Sequence, residues 1–258
     1  MSLPGPFLDD LSTCLRFYTR LPAPAPGASD LAGFAKALRL LPLAGAIVGL
    51  VGGAAFLCAR VIGLGAPLAA AFAVLALVLT TGGLHEDGLA DVADGFGGGA
   101  SPARKLEIMR DSRVGAFGGL ALAFTILLRV LAIGALGERS ASLVLAALVA
   151  SGAVSRLLGL MPLLLSFPAR RDGAGAAMPR PTPAALRQAA LLGGALALLP
   201  VFAGVSAAQA VAANLAAFFG VLALTRLAQK QIGGYSGDVL GAAQQIAEIA
   251  ILTGLSAR

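Results

Sequence analysis

Apolar residues fall into long, nearly unbroken runs along this chain, separated by short polar stretches. Runs at 40–59, 61–81, 114–136, 141–165, 189–207 and 209–228 are each close to the ~20 residues that a helix needs to cross a ~30 Å hydrocarbon core. A seventh, less apolar segment covers 239–255. All are rich in Ala, Leu and Val with internal Gly, which lets membrane helices pack closely. The pattern predicts an all-α, polytopic transmembrane helical bundle of six to seven spans, in one integral-membrane domain over 1–258. An N-terminal segment (1–39) and an acidic segment (82–113) lie outside the spans. Pro/Gly-rich stretches at 22–27 and 172–183, and the run Gly95-Phe-Gly-Gly-Gly99, predict loops.

Composition agrees. Of 258 residues, 58% are hydrophobic and 12% charged, against about 25% charged in soluble domains. Mean hydropathy is +0.87. So few charges cannot solvate a globule of this size, so a soluble enzyme, a disordered chain and a nucleic-acid-binding module are set aside. The formal net charge of +6 is scattered through short loops. Cys14 and Cys58 are placed for neither a disulfide framework nor a zinc site. Asp9 and Asp10, with no early apolar run, argue against a cleavable signal peptide.

Lys and Arg alternate from loop to loop: four before the first span (Arg16, Arg20, Lys36, Arg39), then one, four, one, four, none and two. By the positive-inside rule this puts the N-terminus and the loops 82–113, 166–188 and 226–238 in the cytoplasm.

The acids mark the candidate chemistry. Six of 13 lie within 86–111: Glu86, Asp87, Asp91, Asp94, Glu107 and Asp111, with the single histidine, His85, beside them. Asp87, Asp91 and Asp94 are spaced i, i+4, i+7, one face of a helix. Glu107 and Asp111 repeat the i, i+4 spacing. Like charges on one face repel unless a cation lies between them. An oxygen-only donor set without thiolate or second histidine suits Mg²⁺, which takes one or two carboxylates, keeps waters and completes its shell with phosphate oxygens. The expected metal set is Asp87, Asp91, Asp94 and Asp111, with Glu86 and Glu107 peripheral. Asp91, Asp94 or His85 supplies the general base, a choice the spacing leaves open. Arg113, then Arg110, is the expected phosphate clamp. Gly95–Gly99 are expected to offer backbone N–H groups to an anion. Arg156 lies inside an apolar run and is a functional candidate on that ground; with Arg170, Arg171 and Asp172 it suggests a second anion-binding face. Arg129, also within a run, reads as a packing or snorkelling residue. Tyr235 and Asp238, in Gly233-Gly-Tyr-Ser-Gly-Asp-Val-Leu-Gly241 before the last helix, are candidate substrate or metal contacts.

Four segments carry a resemblance to a known family: Phe17-Tyr-Thr-Arg-Leu-Pro22, Gly82-Gly-Leu-His-Glu-Asp-Gly-Leu-Ala-Asp-Val-Ala-Asp-Gly95, Met109-Arg-Asp-Ser-Arg-Val-Gly115 and the stretch from Gly233. The chain resembles the cobalamin synthases (adenosylcobinamide-GDP ribazoletransferases). Arg110 stands where that family more often has Lys, and Ala169-Arg-Arg-Asp-Gly-Ala-Gly175 is similar to its Ala-Arg-x-x-Gly-x-Gly. The resemblance implies a multi-pass bacterial inner-membrane enzyme requiring Mg²⁺. It would join adenosylcobinamide-GDP to α-ribazole or its 5′-phosphate, releasing GMP and giving adenosylcobalamin or its phosphate. Expected partners are these substrates and membrane lipid, with a second copy or neighbouring pathway enzymes as further candidates and no nucleic acid. Asp91-Val-Ala-Asp94-Gly95 followed by Glu107-x-x-x-Asp111 is also similar to the motif of the CDP-alcohol phosphotransferases, the alternative class. A transporter fits poorly, because the acids lie in loops and no repeat is visible. An inert scaffold has no use for self-repelling carboxylates.

Overall fold

A computed structural model describes residues 6–25 and 30–257, so the end of the 22–27 stretch lies outside the described residues. The described residues are helical throughout, with one isolated β-bridge. An N-terminal helix α1 (Pro6–Tyr18) precedes α2 (Leu31–Ala37), which runs through one 3₁₀ turn (Leu38–Leu40) into α3 (Leu41–Val61). Then follow α4 (Ala66–Thr81), α5 (Leu84–Gly98), α6 (Pro102–Ile108), α7 (Ala116–Arg139), α8 (Ala141–Leu158) and α9 (Met161–Leu165). The chain ends with α10 (Ala174–Ala177), α11 (Pro183–Leu196), α12 (Leu199–Phe202), α13 (Ala207–Ile232) and α14 (Gly237–Ser256).

The helix boundaries follow local chemistry. Ser101, Ser140, Thr182, Ser206 and Ser236 each accept a backbone N–H with the side chain and cap the helix that follows. Thr182 is why the fifth predicted span begins at Pro183 rather than 189. Pro162, at the start of α9, breaks the predicted 141–165 helix after Leu158. Two further expectations are corrected. Gly95–Gly98 are the last turn of α5 rather than a loop. Their missing side chains admit close neighbours: a Cβ on Gly95 would lie 2.6 Å from Met109, and one on Gly97 2.7 Å from Phe117. And α6 stops at Ile108, so Asp111 sits in a turn beyond the helix, off the face that carries Glu107.

Six helical segments are long and apolar enough to cross a membrane: 31–61, 116–139, 141–165, 183–202, 207–232 and 237–256. The last, the less apolar segment of the sequence pattern, passes by itself. The one that does not is α4, whose 16 residues give a rise of about 24 Å, short of the ~30 Å core; with α5 it forms a pair bent by 90°, which raises the number of crossings to seven if the pair is counted as one span. Phe72, Leu75 and Leu79 of α4, Leu120, Phe124 and Leu131 of α7, and Leu215 and Phe219 of α13 point outward, the lipid-facing band of a multi-pass membrane protein.

Inside the bundle, α3 crosses α8 and α14 packs on α5, α7, α8 and α13. The first contact depends on small residues. A Cβ on Gly45 would come within 2.1 Å of the Gly152 carbonyl, and one on Gly49 within 2.2 Å of the Leu148 carbonyl. Helices meeting this closely gain backbone-level packing that lipid cannot supply.

Two backbone devices build the site. Gly82 (φ 67°) and Gly83 (φ 73°) are both left-handed, a conformation other residues rarely adopt. Together they end α4 and turn α5 off by 90°, so the acidic helix leaves the apolar direction of the span. At the other end of the sequence, the Tyr235 N–H donates to the Phe167 carbonyl at 2.9 Å and the Ala169 N–H to the Tyr235 carbonyl at 2.8 Å. This short parallel bridge between 168 and 235 ties the loop after α9 to the turn before α14.

Candidate active site

The acidic helix α5 sorts its carboxylates by face. Asp87 is exposed and Asp91 half-buried, while Glu86 and Asp94 are buried. Asp238 joins the outward pair from α14: its backbone rests on Gly88, where a Cβ would come within 2.8 Å of the Asp238 carbonyl oxygen. Arg170 reaches Asp238 at 3.4 Å, brought there by the 168–235 bridge, and its Nη1 is buried without a hydrogen-bond partner. Partial burial, and then the negative charges of Asp87, Asp238 and Asp94, push the Asp91 carboxyl up to about 7, with Arg170 pulling the other way. Asp87, Asp91 and Asp238 therefore form one like-charged group around one guanidinium.

The other expected metal acids are engaged elsewhere. Glu86 turns inward and accepts from Arg129 Nη1 at 2.7 Å. Asp94 binds the start of α7: the Gly115 N–H donates to Oδ2 at 2.7 Å and the Gly118 N–H to Oδ1 at 2.9 Å. It neutralises the positive end of that helix. Glu107 pairs with Arg104 at 2.8 Å on the surface. Asp111 pairs with Arg113 at 2.5 Å, and the Arg113 hydrogen bonds hold its carboxyl down to about 2. The expected phosphate clamp is thus folded onto its own neighbour, and Arg110 is paired with Asp172 at 2.6 Å. Arg156, Arg170 and Asp172 do not share a face: the first is deep in the bundle, the second is on Asp238, and the third is on Arg110.

Among the described residues, no three His, Cys, Asp or Glu side chains already stand in metal-binding geometry. Mg²⁺ needs fewer: one or two carboxylates with waters and phosphate oxygens suffice. Asp87, Asp91 and Asp238 fit that donor chemistry, since all are oxygen ligands and their mutual repulsion is what a divalent cation relieves.

Two hollows meet at Asp87. A cavity of about 150 Å³ runs inward past Phe17, Tyr18, His85, Asp238 and Leu240 to Arg156 and Gln244. An open cleft of about 660 Å³ lies on the other side, lined by Arg16, Arg20, Gly82, Gly83 and Glu86. Phe17, Leu84 and Asp87 border both. Arg16, Arg20 and Tyr18 were not among the expected site residues. Tyr18 and Arg20 belong to the run 17–22 and Arg16 directly precedes it, but only the fold reveals that this stretch lies beside α5. Tyr235, buried, serves the site through its backbone in the 168–235 bridge.

Beneath the site lies a buried charge network. Arg129, 1% exposed, contacts Glu86 at 2.7 Å and Glu248 at 2.9 Å. Arg156 lies 3.9 Å from Glu248. Gln244 and Gln245 donate to Glu248 and Glu86 at 2.7 and 3.2 Å. Two acids and two bases balance. Arg129 is therefore a central cross-link rather than a snorkelling side chain, and its partner Glu248 lies too far along the chain for spacing to reveal.

These features describe a multi-pass membrane protein with an acidic, arginine-flanked site where two hollows join, the arrangement of an enzyme that brings two substrates to one charged centre. Residues 10–256 match the family model for cobalamin-5-phosphate synthase, and the chain belongs to that family. It is 45% identical over 251 residues to the adenosylcobinamide-GDP ribazoletransferase of Azorhizobium caulinodans, covering 96% of this chain and 95% of that one. The protein of the same name from Xanthobacter autotrophicus is 46% identical (95% of each chain), and that from Escherichia coli 39% (93% and 96%). No solved structure matches. The chain is accordingly a transferase of cobalamin nucleotide-loop assembly.

Arg129→Ala leaves Glu86 and Glu248 buried without their cation, a loss of about 3–5 kcal/mol. Thermal unfolding in detergent should show a large fall in midpoint, and an unchanged midpoint would remove the network from its structural role. Asp94→Ala strips the cap from α7 and should cost about 1–2 kcal/mol. The same unfolding assay reads it, and greater proteolysis between 110 and 118 should accompany it.

Proposed function

We propose that this transferase carries out a Mg²⁺-dependent transfer of the adenosylcobinamide phosphate group from adenosylcobinamide-GDP to α-ribazole or α-ribazole 5′-phosphate, releasing GMP. The observation that carries the reading is the like-charged group of Asp87, Asp91 and Asp238, with Arg170 among them, at the junction of an enclosed cavity and an arginine-lined cleft. A ribazole hydroxyl oxygen forms the new bond to the phosphorus on the cobinamide arm and gives up its proton to a base at the site, a carboxylate of the acidic helix or His85. The bond from that phosphorus to the bridging oxygen breaks, and GMP leaves with the electron pair. Such transfer consists mostly of positioning and charge stabilisation. Mg²⁺ held by one or two carboxylates of the Asp87, Asp91 and Asp238 group would supply charge neutralisation at the phosphate oxygens. Arg170, held beside Asp238, adds a fixed positive charge that favours a phosphate at this group. Arg16 and Arg20 give the open cleft the charge to receive a diphosphate. His85 lies along the enclosed cavity, stacked on Tyr18.

The reading also places the site on the cytoplasmic side of a bacterial inner membrane. The Lys/Arg distribution supports this, and the loops that carry the site are the arginine-rich ones.

The decisive assay gives purified protein in detergent a GDP-activated cobinamide and α-ribazole, with and without Mg²⁺. GMP release should require all three. Asp87→Asn and Asp91→Asn should each lower kcat by about 100-fold or more, the usual scale for a charge-stabilising group at a reacting centre. Normal turnover in both variants, or CMP release from a CDP-alcohol instead, would reject the assignment. For orientation, Cys14 and Cys58 are replaced by Ser and single cysteines introduced as Ile62→Cys and Ser101→Cys. In intact cells a membrane-impermeant maleimide should label the first and not the second, and the opposite pattern reverses the topology.

A further inference from the structure

We propose that the enclosed cavity beside Asp87 is a subsite for a flat, uncharged aromatic base, the benzimidazole of the ribazole substrate, whose ring-nitrogen acceptor is met by the Arg156 guanidinium. This rests on the transfer reading above and assigns one of its two substrates to one of the two hollows.

The cavity's shape and lining carry the inference. At about 150 Å³ it is of the size that accepts a benzene-sized ring, and its open mouth at Leu84 and Asp87 accommodates the rest of a fused bicycle. Its walls are Phe17, Leu160, Met178 and Leu240. Tyr18 and His85 both line the hollow, with their rings parallel within 4° and centroids 6.1 Å apart. A further flat ring can join aromatic neighbours of this kind by offset or edge-on stacking.

The polar floor then meets the base. Arg156 is 4% exposed. Its Nη1 donates to the Gly152 carbonyl at 3.0 Å and its Nε is sealed within the protein, which leaves Nη2 as the donor without a hydrogen-bond partner among the described residues. Gln244 is already committed: its Nε2 donates to Ser155 and Glu248, and its Oε1 accepts from Gln245. The floor therefore presents an unpaired donor, which a ring nitrogen with a lone pair satisfies. A benzimidazole joined to ribose carries one such acceptor and no N–H, and its remaining edge is apolar. A guanine could set its N1–H and N2 donors on Asp87 or Asp238, which also line the cavity, so competition with guanosine is what tells the two bases apart. The nucleotide is better placed in the open cleft, where Arg16 and Arg20 stand. With the base seated inward, the ribose emerges beside Asp87, where its hydroxyl can meet the phosphate.

Binding tests this without turnover. Equilibrium dialysis of the full-length protein in detergent against 5,6-dimethylbenzimidazole and against α-ribazole should show saturable binding that excess guanosine does not displace. Leu84→Phe, at the partly exposed mouth, and Leu240→Phe should each weaken base binding about tenfold or more. They should raise the KM for α-ribazole by a similar factor and leave that for the GDP-activated corrinoid within about twofold. Arg156→Lys keeps the charge beside Glu248 but loses the planar guanidinium with its free Nη2, and should weaken binding of the base while the unfolding midpoint is retained. The proposal is overturned if neither probe binds, if guanosine displaces them, or if the variants raise the corrinoid KM instead. Saturable base binding without any transfer would sink the functional reading and leave the subsite standing.

Discussion

The fold depends on placing four charged side chains where lipid-solvated helices meet. Arg129 and Arg156 cannot remain ionised in an apolar interior without counter-charges, and Glu86 and Glu248 have the same need. Each comes from a different helix: α5, α7, α8 and α14 contribute one apiece. The pairing therefore fixes how these four helices stand relative to one another. Hydrophobic burial does not supply that specificity between helices bathed in hydrocarbon, because lipid solvates an apolar face as well as a neighbouring helix does. Glycine-mediated contact of α3 with α8 supplies the rest by shape.

This constraint also sets the character of the site. Glu86 and Asp87 are consecutive, so anchoring Glu86 inward on Arg129 directs Asp87 outward to the junction of cavity and cleft. Asp94 then fastens the far end of the same helix to the start of α7. Between these two anchors, Asp91 is left half-buried among negative neighbours. A helix held rigidly at both ends keeps its carboxylates from relaxing away from one another. This is the preorganised charge that phosphate chemistry uses.

Much of this was legible in the sequence, and the illegible part has a definite physical origin. Apolar runs gave the helical bundle because crossing lipid demands about 20 apolar residues in a row, a local property. Gly95–Gly98 are helical where a loop was expected, and Met109 and Phe117 close on the space that Gly95 and Gly97 leave, a contact that composition alone does not show. The acidic helix was recognisable by spacing, and Asp87 and Asp91 do stand together. The i, i+4, i+7 rule could not say which members of the face point inward, because that depends on Arg129, Gly115 and Gly118 of another helix. Asp238 was expected as a substrate or metal contact and Arg170 as part of an anion-binding face with Arg156; the backbone bridge between 168 and 235 instead brings the two together beside Asp91. Arg16 and Arg20 were counted as topological charges, yet they line the cleft.

That bridge is made wholly of peptide groups, so it places Arg170 without using any side chain of its own. Residues 168 and 169 can drift in identity over evolutionary time without moving the guanidinium, provided the chain still supplies the carbonyl and N–H. Gly234 has no such latitude, since a methyl group there would come within 2.0 Å of the Phe167 carbonyl oxygen. The fidelity of a charged site can thus reside in a residue that carries no functional group at all.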